Sequence, residues 1–226
     1  MALDDATAER LRWRPPSYAY RLAMWIFLTS LSMLFASSLL GYMLMRYDGP
    51  QAPAHGAIHP PRSLFVSTIL LIVGSVTMSA ALAAVRREQQ TRFRWLMAAS
   101  ALLAFGFLTI QTPSLGILLD DYAREKALLP TPPHTGNTAD DQEFLRAIPK
   151  SAGSRLGQLY FVVVSLVVLH ALHVIGGLVP LAVATVRAFK GKYDHEVHEG
   201  VTLCTMYWHF LDVVWIILFG TILLVG

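Results

Sequence analysis

The chain has 226 residues, of which 54% are hydrophobic and only 15% charged, with a formal net charge of +3. That balance excludes an ordinary soluble globular domain. It also leaves nothing for a nucleic-acid partner to explain, because the basic residues flank apolar runs, where anionic lipid is the simplest partner. The apolar residues are blocked into runs long enough to cross a bilayer, which takes about 20 residues at ~1.5 Å rise each.

Residues 1–17 read as a cytoplasmic tail. Asp4, Asp5 and Glu9 precede the first apolar run. That run is too long for the core of a cleavable signal, so it is expected to remain as an anchor. Five spans follow, at about 18–45, 63–85, 95–119, 156–189 and 200–225, giving an all-α polytopic membrane domain over 18–226 in an up-down bundle. Gly41, Pro113 and Pro180 fall inside spans. Membrane helices tolerate them because neighbours re-satisfy the freed backbone groups. The fourth run is longer than a straight crossing needs, which implies tilt, a kink near Pro180 or projection beyond the lipid.

The loop 120–155 is the one substantial polar segment. After Pro130, Pro132 and Pro133, the stretch Thr138–Glu143 is suited to opening a short helix that stops before Pro149. The loop reads either as a connector or as a docking surface for an extramembrane partner. His55, His59 and His134 lie in Pro-rich loops and read as solvated. Cys204 is the single cysteine, so no intrachain disulfide and no cysteine metal motif is available.

Basic residues set the orientation. Arg10, Arg12, Arg14, Arg21, Arg86, Arg87, Arg92, Arg94, Arg187, Lys190 and Lys192 fall on one side. They are eleven of the eighteen Lys and Arg. The opposite side has Arg46 and Arg62 and, in the long loop, five bases offset by six acids. The N-terminus is therefore expected in the cytoplasm and the C-terminus outside.

Two spans carry costly polar groups. His170 and His173 are three apart on the fourth, so they share a face. His209 and Asp212 are three apart on the fifth, and Trp208, Asp212 and Trp215 form a stripe at i, i+4, i+7. The two helices run antiparallel through a short loop, which puts both pairs at about the same depth. The expected arrangement is face to face, with Asp212 accepting from an imidazole N–H and with Gly176 and Gly177 letting the helices approach closely. Three chemistries suit such a cluster. It can be an interhelical hydrogen-bond latch. It can be a haem or metal site, which would have to pair His170 or His173 with His209, because two His at i, i+3 cannot ligate opposite faces of one iron. It can be a proton relay, for which few further titratable groups are available on the first three spans.

Tyr207-Trp208-His209-Phe210-Leu211-Asp212-Val213-Val214-Trp215 resembles the signature of subunit III of the haem–copper oxidases. His170-Ala171-Leu172-His173-Val174-Ile175-Gly176-Gly177 resembles the helix before it in that family. Ala23–Leu28 with Met33–Phe35, Ser75–Met78, and Phe107, Leu108 and Gln111 resemble its first three shared helices. The resemblance runs in order from about Arg21 to Gly226, in the five-helix form found in quinol oxidases and some bacterial cytochrome oxidases.

This resemblance implies an accessory subunit with no catalytic site and no cofactor or metal of its own. Haem and copper are expected in the partner, the catalytic subunit I, with other oxidase subunits around it. It implies phospholipid held in a cleft, with Arg187 placed like a basic residue that binds a lipid phosphate; Arg187 also serves as a plain positive-inside anchor. It implies support of assembly and of sustained proton-coupled oxygen reduction, in a bacterial inner membrane or a mitochondrial one. The sequence departs from the family pattern where membrane glutamates usually stand: Leu31, Ser114 and Thr202 occupy those places. This points to a divergent member, tied to an unusual oxidase or a nitric oxide reductase. Other classes that fit the composition are a stand-alone haem- or quinone-handling membrane protein and a small transporter, although no inverted repeat is evident.

Overall fold

A computed structural model describes residues 16–47, 63–127, 152–194 and 198–225. The loop features named above, His55, His59, His134 and the short helix expected from Thr138, lie outside the described residues. Five helices account for nearly all of the rest: α1 Ser17–Tyr47, α2 Ser63–Arg86, α3 Gln90–Ala127, α4 Ala152–Phe189 and α5 Glu199–Val225. Each is long and apolar enough to cross a membrane, and no strand occurs among the described residues. The chain is an all-helical integral membrane protein.

Helix is the form these runs must take. In hydrocarbon every backbone N–H and C=O has to be paired within its own segment. The hydroxyls follow the same rule. Thr29, Ser32, Ser38, Thr185 and Thr221 each donate to the carbonyl four residues back. α3 starts before the expected Trp95 and ends beyond Leu119, since its polar ends continue the helix past the apolar run. α4 runs unbroken through Pro180 and α3 through Pro113. α4 stops at a left-handed glycine: Gly191 has φ 65°, and Lys192 N–H returns to Arg187 C=O at 3.0 Å.

Helices α2, α3, α4 and α5 form a closed ring in which each touches the next and α5 returns to α2. The main core fills this ring. Leu71, Met78, Phe107, Val174, Leu211 and Trp215 are among its buried members. α1 stands outside the ring. Among the described residues it touches only α4 and α5, and not its sequence neighbour α2. A second, smaller cluster of Leu31, Phe35, Leu166, Val214 and Leu218 seals that contact. At the end of the bundle where α1 and α5 begin, Arg21 grips Glu199 with two bonds, at 2.8 and 3.2 Å. This end also holds the α2–α3 and α4–α5 turns, tied by Gln90 Nε2 donating to Tyr193 C=O at 3.0 Å.

Candidate functional site

The polar residues of α4 and α5 do lie near one layer, but they do not face one another. Tyr207 Oη donates to His173 C=O at 2.9 Å, which fixes the register of the two helices. His173 turns its ring toward α1. Its Nδ1 lies 2.7 Å from Leu169 C=O, and its ring meets Phe35 edge-on at 5.5 Å. His170 is 1% exposed and packs between Trp215, at 5.1 Å with a 31° tilt, and the edges of Phe107 and Phe35. Neither of its ring nitrogens has a hydrogen-bond partner.

The polar groups of α5 turn the other way, toward α2. His209 sits between two serines of α2, with Nδ1 2.6 Å from Ser75 Oγ and Nε2 3.0 Å from Ser79 Oγ. A neutral imidazole suits this pair, since one nitrogen donates and the other accepts. Asp212 is buried, with its Oδ2 3.8 Å from His209 Nδ1 and no hydrogen-bond partner at that oxygen. One turn further on, Trp215 Nε1 donates to Thr68 Oγ1 at 3.0 Å. The expected bond from an α4 imidazole to Asp212 is therefore replaced by a junction between α5 and α2. The reason is rotational phase. Spacing of i, i+3 places two residues on one face but does not say which neighbour that face meets. His173 contacts α1 while His209 contacts α2, so no pair of histidines from the two helices converges on a common ligand. No group of three or more His, Cys, Asp or Glu suited to a metal occurs among the described residues.

The stripe Trp208, Asp212 and Trp215 is buried along its length and faces the ring interior. Of the two glycines expected to allow close approach, only Gly177 does so: a Cβ there would stand 2.6 Å from Tyr207 Cε1. Gly176 has open space beside it and borders a groove instead. Thr68, Ser75 and Ser79 were not singled out as partners. Their spacing of i, i+7, i+11 marks one helical face, and that pattern of hydroxyls was the available signal. Ser100 donates to Thr77 Oγ1 at 3.0 Å and Ser67 to Gln111 Oε1 at 3.4 Å, extending the same theme from α2 to α3. Of the places where the family usually has glutamate, Leu31 lies buried in the α1–α4–α5 cluster and Thr202 is buried near the start of α5.

Where α1 leans on α4 and α5, it leaves a groove of about 540 Å³. Met24, Phe27, Pro180, Val183 and Tyr207 give it apolar walls, and Arg187 lies at its basic end. Arg187 also borders a surface depression shared with Lys190 and Lys192. An apolar groove with Arg187 at its edge, and Lys190 and Lys192 in the adjoining depression, has the chemistry to take an amphiphile with an anionic head.

Residues 138–226 match the family model described as "Cytochrome c oxidase subunit III". The chain is 24% identical over 205 residues to cytochrome c oxidase subunit 3 of Bacillus subtilis, covering 91% of this chain and 86% of that protein. It is 26% identical over 202 residues to the subunit 3 of Thermostichus vulcanus, covering 88% and 83%. It is 22% identical over 205 residues to cytochrome bo(3) ubiquinol oxidase subunit 3 of Pseudomonas putida, covering 91% and 85%. The matches span the chain at low identity: over most of its length this five-helix chain is similar to subunit 3 of cytochrome c oxidases and of a ubiquinol oxidase.

Proposed function

We propose that this chain is the non-catalytic subunit III of a terminal respiratory oxidase. It packs in the membrane against a catalytic subunit that carries haem and copper. It holds a phospholipid in the α1–α4–α5 groove, and so supports assembly and sustained proton-coupled oxygen reduction by its neighbour. The N-terminus lies in the cytoplasm, the C-terminus outside, and the membrane is a bacterial inner membrane.

The observation that carries this reading is the groove. Acyl chains match its apolar walls, and Arg187, with Lys190 and Lys192 beside it, supplies charge at the depth of a headgroup. The junction of α5 with α2 supports a scaffold rather than a redox or relay role, because its hydrogen bonds close on serines and a threonine of the same chain. The orientation rests on the basic bias of the end that holds Arg21, Arg86 and Arg187.

The test is to extract the complex in mild detergent and identify its subunits and lipids by mass spectrometry. A large subunit with haem and copper, together with phospholipid lost in Arg187→Glu, is the expected result. The chain running alone, or bearing its own Soret band, would overturn the reading.

A further inference from the structure

A small cavity lies at the centre of the four-helix ring, walled by all four helices. Gly74 and Ser75 of α2, Ser100 and Phe107 of α3, Leu181 of α4 and Asp212 of α5 all border it. It offers about 20 Å³ to the centre of a water molecule, where one water requires roughly 10–15 Å³. Most of the wall is apolar. The exceptions are one carboxylate and two hydroxyls, from three different helices, and the indole of Trp208.

We infer that this cavity is a binding site for a single structural water that bridges Asp212 to Ser75 and Ser100. Asp212 is 6% exposed, and its Oδ2 has no partner within the protein. A buried carboxylate oxygen left in that state would be costly. Ser100 has one hydroxyl hydrogen, which goes to Leu96 C=O or Thr77 Oγ1, and this leaves a lone pair to accept. Ser75 keeps a hydrogen or a lone pair beyond its bond to His209, according to the imidazole tautomer. A water donating to Asp212 and Ser100 and bonded to Ser75 satisfies all three. It ties Ser100 of α3 to Asp212 of α5 beside the junction that Ser75 already makes with His209. Water sites of this kind have two to four polar partners, as this one does.

The site is tested by high-resolution electron cryomicroscopy of the detergent-extracted complex. A density peak within hydrogen-bond reach of Asp212 Oδ2 is expected in the parent and in Asp212→Asn, and its loss in Asp212→Leu. No peak in the parent, in a map that shows other internal waters, would overturn the inference. So would a peak that survives Asp212→Leu. If Asp212→Leu fails to assemble, Gly74→Ala takes its place. Its added methyl meets only Leu103 Cβ, at 3.8 Å, and fills the cavity. Gly106→Ala, whose Cβ meets only Leu70 Cδ1 at 4.0 Å, controls for the helix preference of alanine. With a bridging water, Gly74→Ala melts several degrees below Gly106→Ala. In a dry cavity it melts at or above it, and the inference falls.

Discussion

Tyr207 and His173 join α5 to α4 through a phenol-to-carbonyl bond of 2.9 Å, and the same phenol ring fills the space a side chain at Gly177 would need. The aromatic ring is held at its hydroxyl and stacks on Phe27 at 6.2 Å, which restrains it. Gly177→Ala is therefore expected to force the two helices apart. The cost should be about 1–3 kcal/mol, the usual range for overpacking. Thermal melting of the purified complex measures it, and an unchanged midpoint would contradict the close approach. Gly176→Ala, with nothing within 4 Å of its Cβ, should melt at or above the parent, by up to about 1 kcal/mol from the helix preference of alanine.

The α5–α2 junction predicts small, coupled effects. Ser75→Ala and Ser79→Ala each remove one partner of His209. Interhelical hydrogen bonds in membranes average about 0.6 kcal/mol, with the strongest near 1.7. Each substitution should fall in that range. A double-mutant cycle with His209→Phe should show that the Ser79 effect vanishes once the imidazole is gone, while Ser75 keeps the part it owes to the cavity at Asp212. Additive losses would mean the serines act elsewhere.

Trp215 should be far more costly. It is 1% exposed, packs on His170 and Phe107, and donates to Thr68. Trp215→Ala is expected to lose about 3–5 kcal/mol through the void it opens. Trp215→Phe should keep most of the packing and lose mainly the hydrogen bond. The yield and melting of assembled complex distinguish the two.

Leu31 offers a test of the family difference. Leu31→Glu introduces the acidic residue that the subunit III resemblance would place there, among Phe35, Leu166, Val214 and Leu218. The buried members of that cluster are all apolar, and the hydroxyl of Tyr207 beside it is already given to His173 C=O. The expected loss is about 1–3 kcal/mol even if the acid stays neutral. It should appear as weaker docking of α1, read as faster proteolysis at residues 48–62 in proteoliposomes.

The groove can be blocked without touching its charge. Gly176→Leu projects into it where no atom lies within 4 Å of the new Cβ. Retained phospholipid per complex should fall while melting does not drop below the parent, since the substitution disturbs no packed neighbour and leucine favours helix over glycine. Oxygen consumption should then decay faster during turnover. Unchanged lipid content would remove the groove as the binding site.

The number and rough position of the helices were legible in the residues because hydrocarbon leaves the backbone no alternative to helix over a long apolar run. The aromatic stripe on α5 was legible for a related reason, since residues at i, i+4 and i+7 must share a face. The partners of those faces were not. Rotation of each helix about its axis, and the placement of α1 against α4 and α5 instead of α2, come from how whole surfaces interlock, and no local pattern encodes that. His173 thus meets Phe35 and His209 meets Ser75, where depth alone had suggested that both would meet across α4 and α5. The groove at Arg187 and the cavity beside Asp212 exist only where three or four helices converge, so only the packed bundle could reveal them.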